Sequence, residues 1–162
     1  MLKLLTATVA LSVVSGALLA ESAPTITVQR MSMETAMEIA REAVASCRKQ
    51  GIQIGVTVVD RDGTVQAALR DTIAAPITLR ISRHKAFTAA NFNAATSALG
   101  ERADTPIGRV KGLVMAAGGL PVEAGGMLLG AVGVSGAPSG KTDEACAQAG
   151  IDKVMDDLEM AM

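Results

Sequence analysis

One histidine, two cysteines, a pair of aspartates and a glycine-rich loop with a lysine are the places where this chain of 162 residues could do chemistry. His84 is the single histidine, flanked by Arg83 and Lys85, with Arg80, Ile81, Thr88 and Phe92 within two helical turns. A neutral imidazole can ligate haem iron axially, and neighbouring cations can hold carboxylate side arms. The same residue also suits the edge of a core or an interface. Relay chemistry has little support: no serine or cysteine stands in a nucleophile motif, and no His/Cys/Glu spacing matches a zinc site.

The loop Gly136 to Thr142 reads GAPSGKT, after a strand and before a helix. A phosphate-binding P-loop needs four residues between its first glycine and Gly-Lys-Thr. Here only Ala137, Pro138 and Ser139 intervene, and Ser135 stands where the glycine belongs. A glycine-rich turn closed by a capped helix is the better reading, with Thr142 as cap and Asp143 and Glu144 on the first turn, where the helix dipole favours negative charge. Asp60 and Asp62 precede Gly63, which is hairpin-turn chemistry before it is a metal or acid/base pair. Met31, Met33 and Met37 cluster at the start of a helix, and gap filling explains them better than iron ligation.

The elements that must position these groups follow from periodicity. Ser32 to Lys49 carries a helical stripe through Met37, Ala40, Ala43, Val44 and Cys47, ended by Gly51. Ile52 to Val59 is too apolar to alternate, so it reads as a central strand covered on both faces; Thr64 to Arg70 returns as its hairpin partner. Pro76 suits the first turn of a second helix running to about Asn93. That helix has two apolar sides, one through Ile77, Ile81, His84, Thr88 and Phe92 and the other through Leu79, Ala86, Phe87 and Ala90. It therefore needs two things to pack against. Residues 96–109 read as irregular. Leu113 to Ala117 reads as a brief strand, followed by a hairpin turning at Gly125-Gly126. Gly130 and Gly133 inside its second strand call for a bulge, a close backbone or a ligand. A last helix runs from about Thr142 to Met160, with Gly150 loosening its middle. Glu21 to Arg30, with TITVQR, reads as a short strand or extended arm.

Composition narrows the function. Hydrophobic residues make up 49% of the chain, but Phe87 and Phe92 are the only aromatics, so the core must be aliphatic. With a net charge of -1 and no aromatic stacking platform, nucleic acid is a poor partner. Lys3 followed by the apolar run Leu4 to Leu19 reads as a secretory signal, residues 1–20, leaving one domain over 21–162 that is periplasmic or secreted and free of the membrane after cleavage. An uncleaved anchor is the alternative. In an oxidising compartment Cys47 and Cys146 form a disulfide if their two helices pack side by side; two buried thiols are the other outcome.

Taken together, VTVVDRDG at 56–63, KAFTAANF at 85–92, GGLPV at 118–122 and GAVGVSGAPSGKTDEACAQAG at 130–150 resemble the GlcG/HbpS family of haem-binding proteins, the domain also found at the C-terminus of PduO-type cobalamin enzymes. The resemblance spans about Met33 to Val154. It implies a single α/β domain of the α+β kind, an antiparallel sheet flanked by helices and profilin-like, assembled into homo-oligomers. It also implies haem as cofactor near the second helix, with His84 as the iron ligand, Thr88 as a second candidate on the iron side, and Arg83 and Lys85 pairing with propionates. The leading reading is an exported protein that sequesters or presents haem, in haem and iron handling or redox sensing. Two others stay open: an enzyme that degrades haem or processes a small organic acid, and a cofactor-free oligomeric signalling module. His84 is the only evident general base for the enzyme reading.

Overall fold

The computed structural model describes residues 24–162; the proposed signal segment lies outside them. Four antiparallel strands form one sheet: β1 (Gly55–Asp60), β2 (Val65–Arg70), β3 (Gly119–Ala124) and β4 (Met127–Ser135), in the order β2-β1-β4-β3. Helices α1 (Met33–Arg48) and α3 (Gly140–Met160) cover one face, and α2 (Ile77–Phe92) covers the other. Every residue of β1 is buried, the covering on two faces that its unbroken apolar run requires.

The main core lies between the sheet and the α1/α3 pair. Ile39, Ala40, Ala43, Val56, Val58, Val132, Val134, Ile151 and Val154 meet there. Ser32 caps α1, its hydroxyl accepting from the Thr35 amide. Gly150 does not loosen α3: a Cβ there would stand 2.5 Å from the Ile39 carbonyl oxygen, so the glycine lets α1 and α3 approach closely. That approach brings Cys47 and Cys146 to a Cα separation of 5.6 Å, and they form a disulfide buried in the helix interface.

On the opposite face, α2 rests on a floor of glycine. A Cβ on Gly55, Gly133 or Gly119 would fall 2.5 Å from Thr78 Oγ1, 2.1 Å from the Ser82 carbonyl oxygen or 2.6 Å from the Lys85 carbonyl oxygen. Three strands thus offer bare backbone to successive turns of one helix. The side of α2 that meets the sheet is therefore Thr78, Ser82, Lys85, Ala86, Ala89 and Ala90, small and polar groups that include only Ala86 and Ala90 of the second apolar side expected from periodicity, while its large members Leu79 and Phe87 face the outer trough. Gly130, in contrast, faces the other layer, against the Val59 carbonyl and Met31.

Several boundaries differ from expectation. Ser139, not Thr142, caps α3, accepting from the Thr142 amide. Pro76 is the cap residue of α2 rather than part of its first turn. Residues 113–117 form no strand, and 96–109 contain two 3-10 turns, Thr96–Arg102 and Pro106–Arg109. The segment 25–30 is an exposed arm outside the sheet, pinned where Arg30 pairs with Asp60 and Asp62. The Asp62 and Thr64 amides donate to Asp60 Oδ1, so Asp60 closes the turn, while the Asp62 carboxylate is taken by Arg30.

Candidate functional site

Helix α2 divides its polar residues between an inside and an outside. On the inside, Lys85 is 4% exposed. Its ammonium group donates to the Val134 carbonyl and to Asp143 Oδ2, each at 2.9 Å. Asp143 accepts in addition from the Ala137 amide at 2.9 Å. Burial holds its carboxyl above the usual range, opposed by the hydrogen bonds from Lys85 and Ala137. Gly118, with φ +119, completes the site, since a Cβ there would lie 2.6 Å from Lys85 Nζ. Lys85 is thus the centre of an internal ion pair tying α2 to the start of α3 and the glycine-rich loop. It does not stand at the surface where a propionate would meet it.

Thr88 is also internal and fully buried. Its hydroxyl donates to the His84 carbonyl oxygen at 2.7 Å and accepts from the Val114 amide at 2.9 Å. Both capacities of that oxygen are directed at backbone. Ser82 bonds Thr57 at 2.8 Å, and Thr96 receives the Gly119 amide at 2.9 Å. Together these bonds hold the helix and the 110–119 segment against the sheet.

Outside, Arg83 is exposed and His84 and Phe87 are half-buried. The His84 imidazole takes no part in the hydrogen-bond network that fixes α2. A groove of about 600 Å³ runs between α2 and the β1–β2 hairpin, past Val65, Ala68, Leu79, Arg83 and Phe87. A second, of about 280 Å³, is lined by Arg83, His84, Phe87, Lys111 and Gly112. The two share Arg83 and Phe87, so the Phe87 ring stands where an apolar trough joins a basic niche. Gly63, with φ +84, makes room for that ring. A larger hollow of about 770 Å³ lies over α1, among Met33, Glu34, Met37, Glu38 and Lys153. Lys153 pairs there with Glu38 at 3.7 Å, and the hollow holds no histidine.

Of the residues singled out in the sequence, the structure brings His84 and Arg83 together on the open face and places Lys85 and Thr88 behind them. Lys111 was missed. It is far from His84 in sequence, between the irregular stretch 96–109 and the expected strand Leu113 to Ala117, and no local pattern marks it. The residues present fit a flat, amphipathic metal-bearing ring: an unengaged imidazole, an aromatic and aliphatic trough, and cations at its edge. No group of three or more His, Cys, Asp or Glu residues suited to a bare metal ion occurs among the described residues.

A four-stranded antiparallel sheet between a disulfide-linked helix pair and a single helix bearing a half-buried histidine on its outer side defines a one-domain α+β protein. Residues 31–152 match the family model described as "Haem degrading protein HbpS-like", and the chain belongs to that family. A double mutant of HbpS from Streptomyces reticuli is similar over 86% of this chain and 97% of its own, with 35% identity and a TM-score of 0.76. The domain of a PduOC–haem complex is similar over 76% of this chain and 94% of its own, with 25% identity and a TM-score of 0.71. Klebsiella pneumoniae ORFY shares the fold at 23% identity, over 83% and 97% of the two chains, with a TM-score of 0.77. Among curated proteins none matches significantly.

Proposed function

We propose that this protein is an exported haem-binding protein that sequesters haem or presents it to a partner, using the open face of α2. The observation that carries the reading is the placement of His84: a half-buried imidazole, free of the network that fixes its helix, beside an apolar trough with Arg83 at the junction. In this arrangement His84 would supply the axial ligand, Phe87, Leu79, Ala68 and Val65 would shield the ring from water, and Arg83 would pair with a ring carboxylate. The haem, when bound, supplies a redox-active iron.

Two further features support export. The apolar run Leu4 to Leu19 has signal-peptide form, and the Cys47–Cys146 bridge belongs to an oxidising compartment. No helix among the described residues is long and apolar enough to cross a membrane. Assembly into a homo-oligomer is part of the same reading, since Ile77, Ile107 and Val110 are apolar and at least 42% exposed; light scattering on the purified protein tests it.

The deciding experiment is a haem titration of residues 21–162 beside His84→Ala, followed through the Soret region. A saturable, stoichiometric band that moves in the variant is the expected result. Equal, weak and non-saturating spectra from both proteins would overturn the proposal. The family description favours one second reading, oxidative haem breakdown. It is read from the same samples, because added peroxide or reductant bleaches the band in a degrading enzyme and leaves it in place in a carrier.

A further inference from the structure

The basic niche beside His84 contains a cation that lies 27 positions further along the chain, and the structure shows what holds it there. Lys111 sits in a turn following the second 3-10 segment. The Leu113 amide donates to the Val110 carbonyl at 3.3 Å, and Gly112 takes φ +95, a left-handed conformation that glycine adopts without strain. This turn has no strand or helix ladder of its own. Its hydrogen bond to α2 is the one from the Val114 amide to Thr88 Oγ1. The same hydroxyl donates to the carbonyl oxygen of His84, one helical turn earlier. One buried oxygen therefore sets the distance between the residue that carries the imidazole and the loop that carries Lys111.

The charges are also unmatched. Arg83 and Lys111 are exposed and belong to none of the ion pairs among the described residues. Asp62, the acidic residue lining the neighbouring trough, is committed to Arg30. Two unpaired cations beside one imidazole and one aromatic ring favour a ligand with two carboxylates on an otherwise apolar plane.

We infer that Lys111 is the second carboxylate-binding cation of the α2 site, acting with Arg83, and that Thr88 is a positioning residue that sets Lys111 against His84 rather than an iron ligand. The inference rests on the haem reading above and adds to it a selectivity for rings with free carboxylates. It replaces Lys85, which is internal, with Lys111.

The test compares haem, haem dimethyl ester and iron-free protoporphyrin IX as probes, on the wild-type protein, Lys111→Ala, Thr88→Val, Thr88→Ser and the Thr88→Val/Lys111→Ala double variant. Thermal melts establish that each variant is folded. The wild type is expected to prefer the free acids to the ester. Lys111→Ala is expected to lose about tenfold in affinity for both free acids, the size of one charge-assisted hydrogen bond, and little for the ester. Thr88→Val should lose a similar amount with the same ester insensitivity, the double variant should be no worse than the worse single one, and Thr88→Ser should bind as wild type. Additive losses in the double variant, or free-acid binding unchanged in Lys111→Ala, would overturn the inference while leaving haem binding intact. If His84→Ala weakens haem but not the iron-free ring, the metal and carboxylate contributions are separated. A wild type that binds none of the three probes overturns both this inference and the haem reading.

Discussion

Replacing both cysteines, as Cys47→Ala/Cys146→Ala, removes a cross-link without leaving a thiol to re-pair. The bridge closes a loop with a sequence separation of 99 residues. In the chain-entropy account a loop of that length withholds about 16 cal/mol/K from the unfolded ensemble, or about 4.7 kcal/mol at 25 °C. Both cysteines are fully buried between α1 and α3, and their replacement by alanine removes only one sulfur on each side. The expected loss therefore stays near the loop term. Urea unfolding followed by far-UV circular dichroism measures it. With a slope of about 2 kcal/mol/M, the midpoint should fall by about 2 M. The slope should also rise, because an uncrosslinked unfolded chain exposes more surface. A midpoint within about 0.3 M of wild type would refute the reasoning, and would mean that the α1/α3 contact holds the unfolded chain together without its covalent link.

Gly133→Ala should cost about 3 kcal/mol by calorimetry, since the new methyl meets the Ser82 carbonyl oxygen at 2.1 Å and the Ala86 amide nitrogen at 2.5 Å, both backbone atoms that cannot swing aside. Lys85→Met should cost about 3–5 kcal/mol in urea unfolding because it leaves Asp143 buried without its cation, and the double replacement Lys85→Met/Asp143→Leu should recover part of that loss. Asp71 accepts from the Arg48 guanidinium at 2.6 Å on both oxygens; that hydrogen bond, opposed by burial and helped by the Thr72 amide, holds its carboxyl below the usual range. The unfolded chain then binds the proton more readily than the folded one. The contribution is present above the ordinary carboxylate value, about pH 4, and is lost as pH falls through the lower folded value. Asp71→Asn should flatten that acid limb in urea midpoints taken across pH, whereas an unchanged limb would show that the Arg48 pair contributes no proton linkage.

The order of helices and strands was legible because it rests on local signals: the Gly51 stop, the Asp-Arg-Asp-Gly turn, the Gly125-Gly126 turn and the unbroken apolar run of β1. The seating of α2 was not. Periodicity assigns burial to large apolar side chains, but this helix is seated by what its neighbours lack. Gly55, Gly119 and Gly133 come from three strands and gain meaning only once the sheet is assembled. The glycines inside β4 did signal a close approach, without saying by what. The site divides in the same way. His84 and Arg83 were visible as a polar pair on one helix. Lys85 reads identically in one dimension, yet it points inward because Asp143, 58 positions later, is there to meet it. Lys111 has no local mark, since its place depends on one hydrogen bond that Thr88 accepts from the Val114 amide.

The strand order also decides when this protein can exist. β1 pairs with β4 through Gly55↔Ser135 and Asp60↔Gly130, so the central partner of β1 leaves the ribosome 70 to 80 residues after it. Until then the nascent chain carries a strand apolar on both sides, and α2 has two of its three glycine contacts still unmade. Contacts this distant in sequence slow folding and prolong the interval in which apolar segments are accessible to other chains. Residues 24–126 hold β1, β2 and β3 without the strand that joins β3 to the other two, so the sheet closes only when β4 arrives.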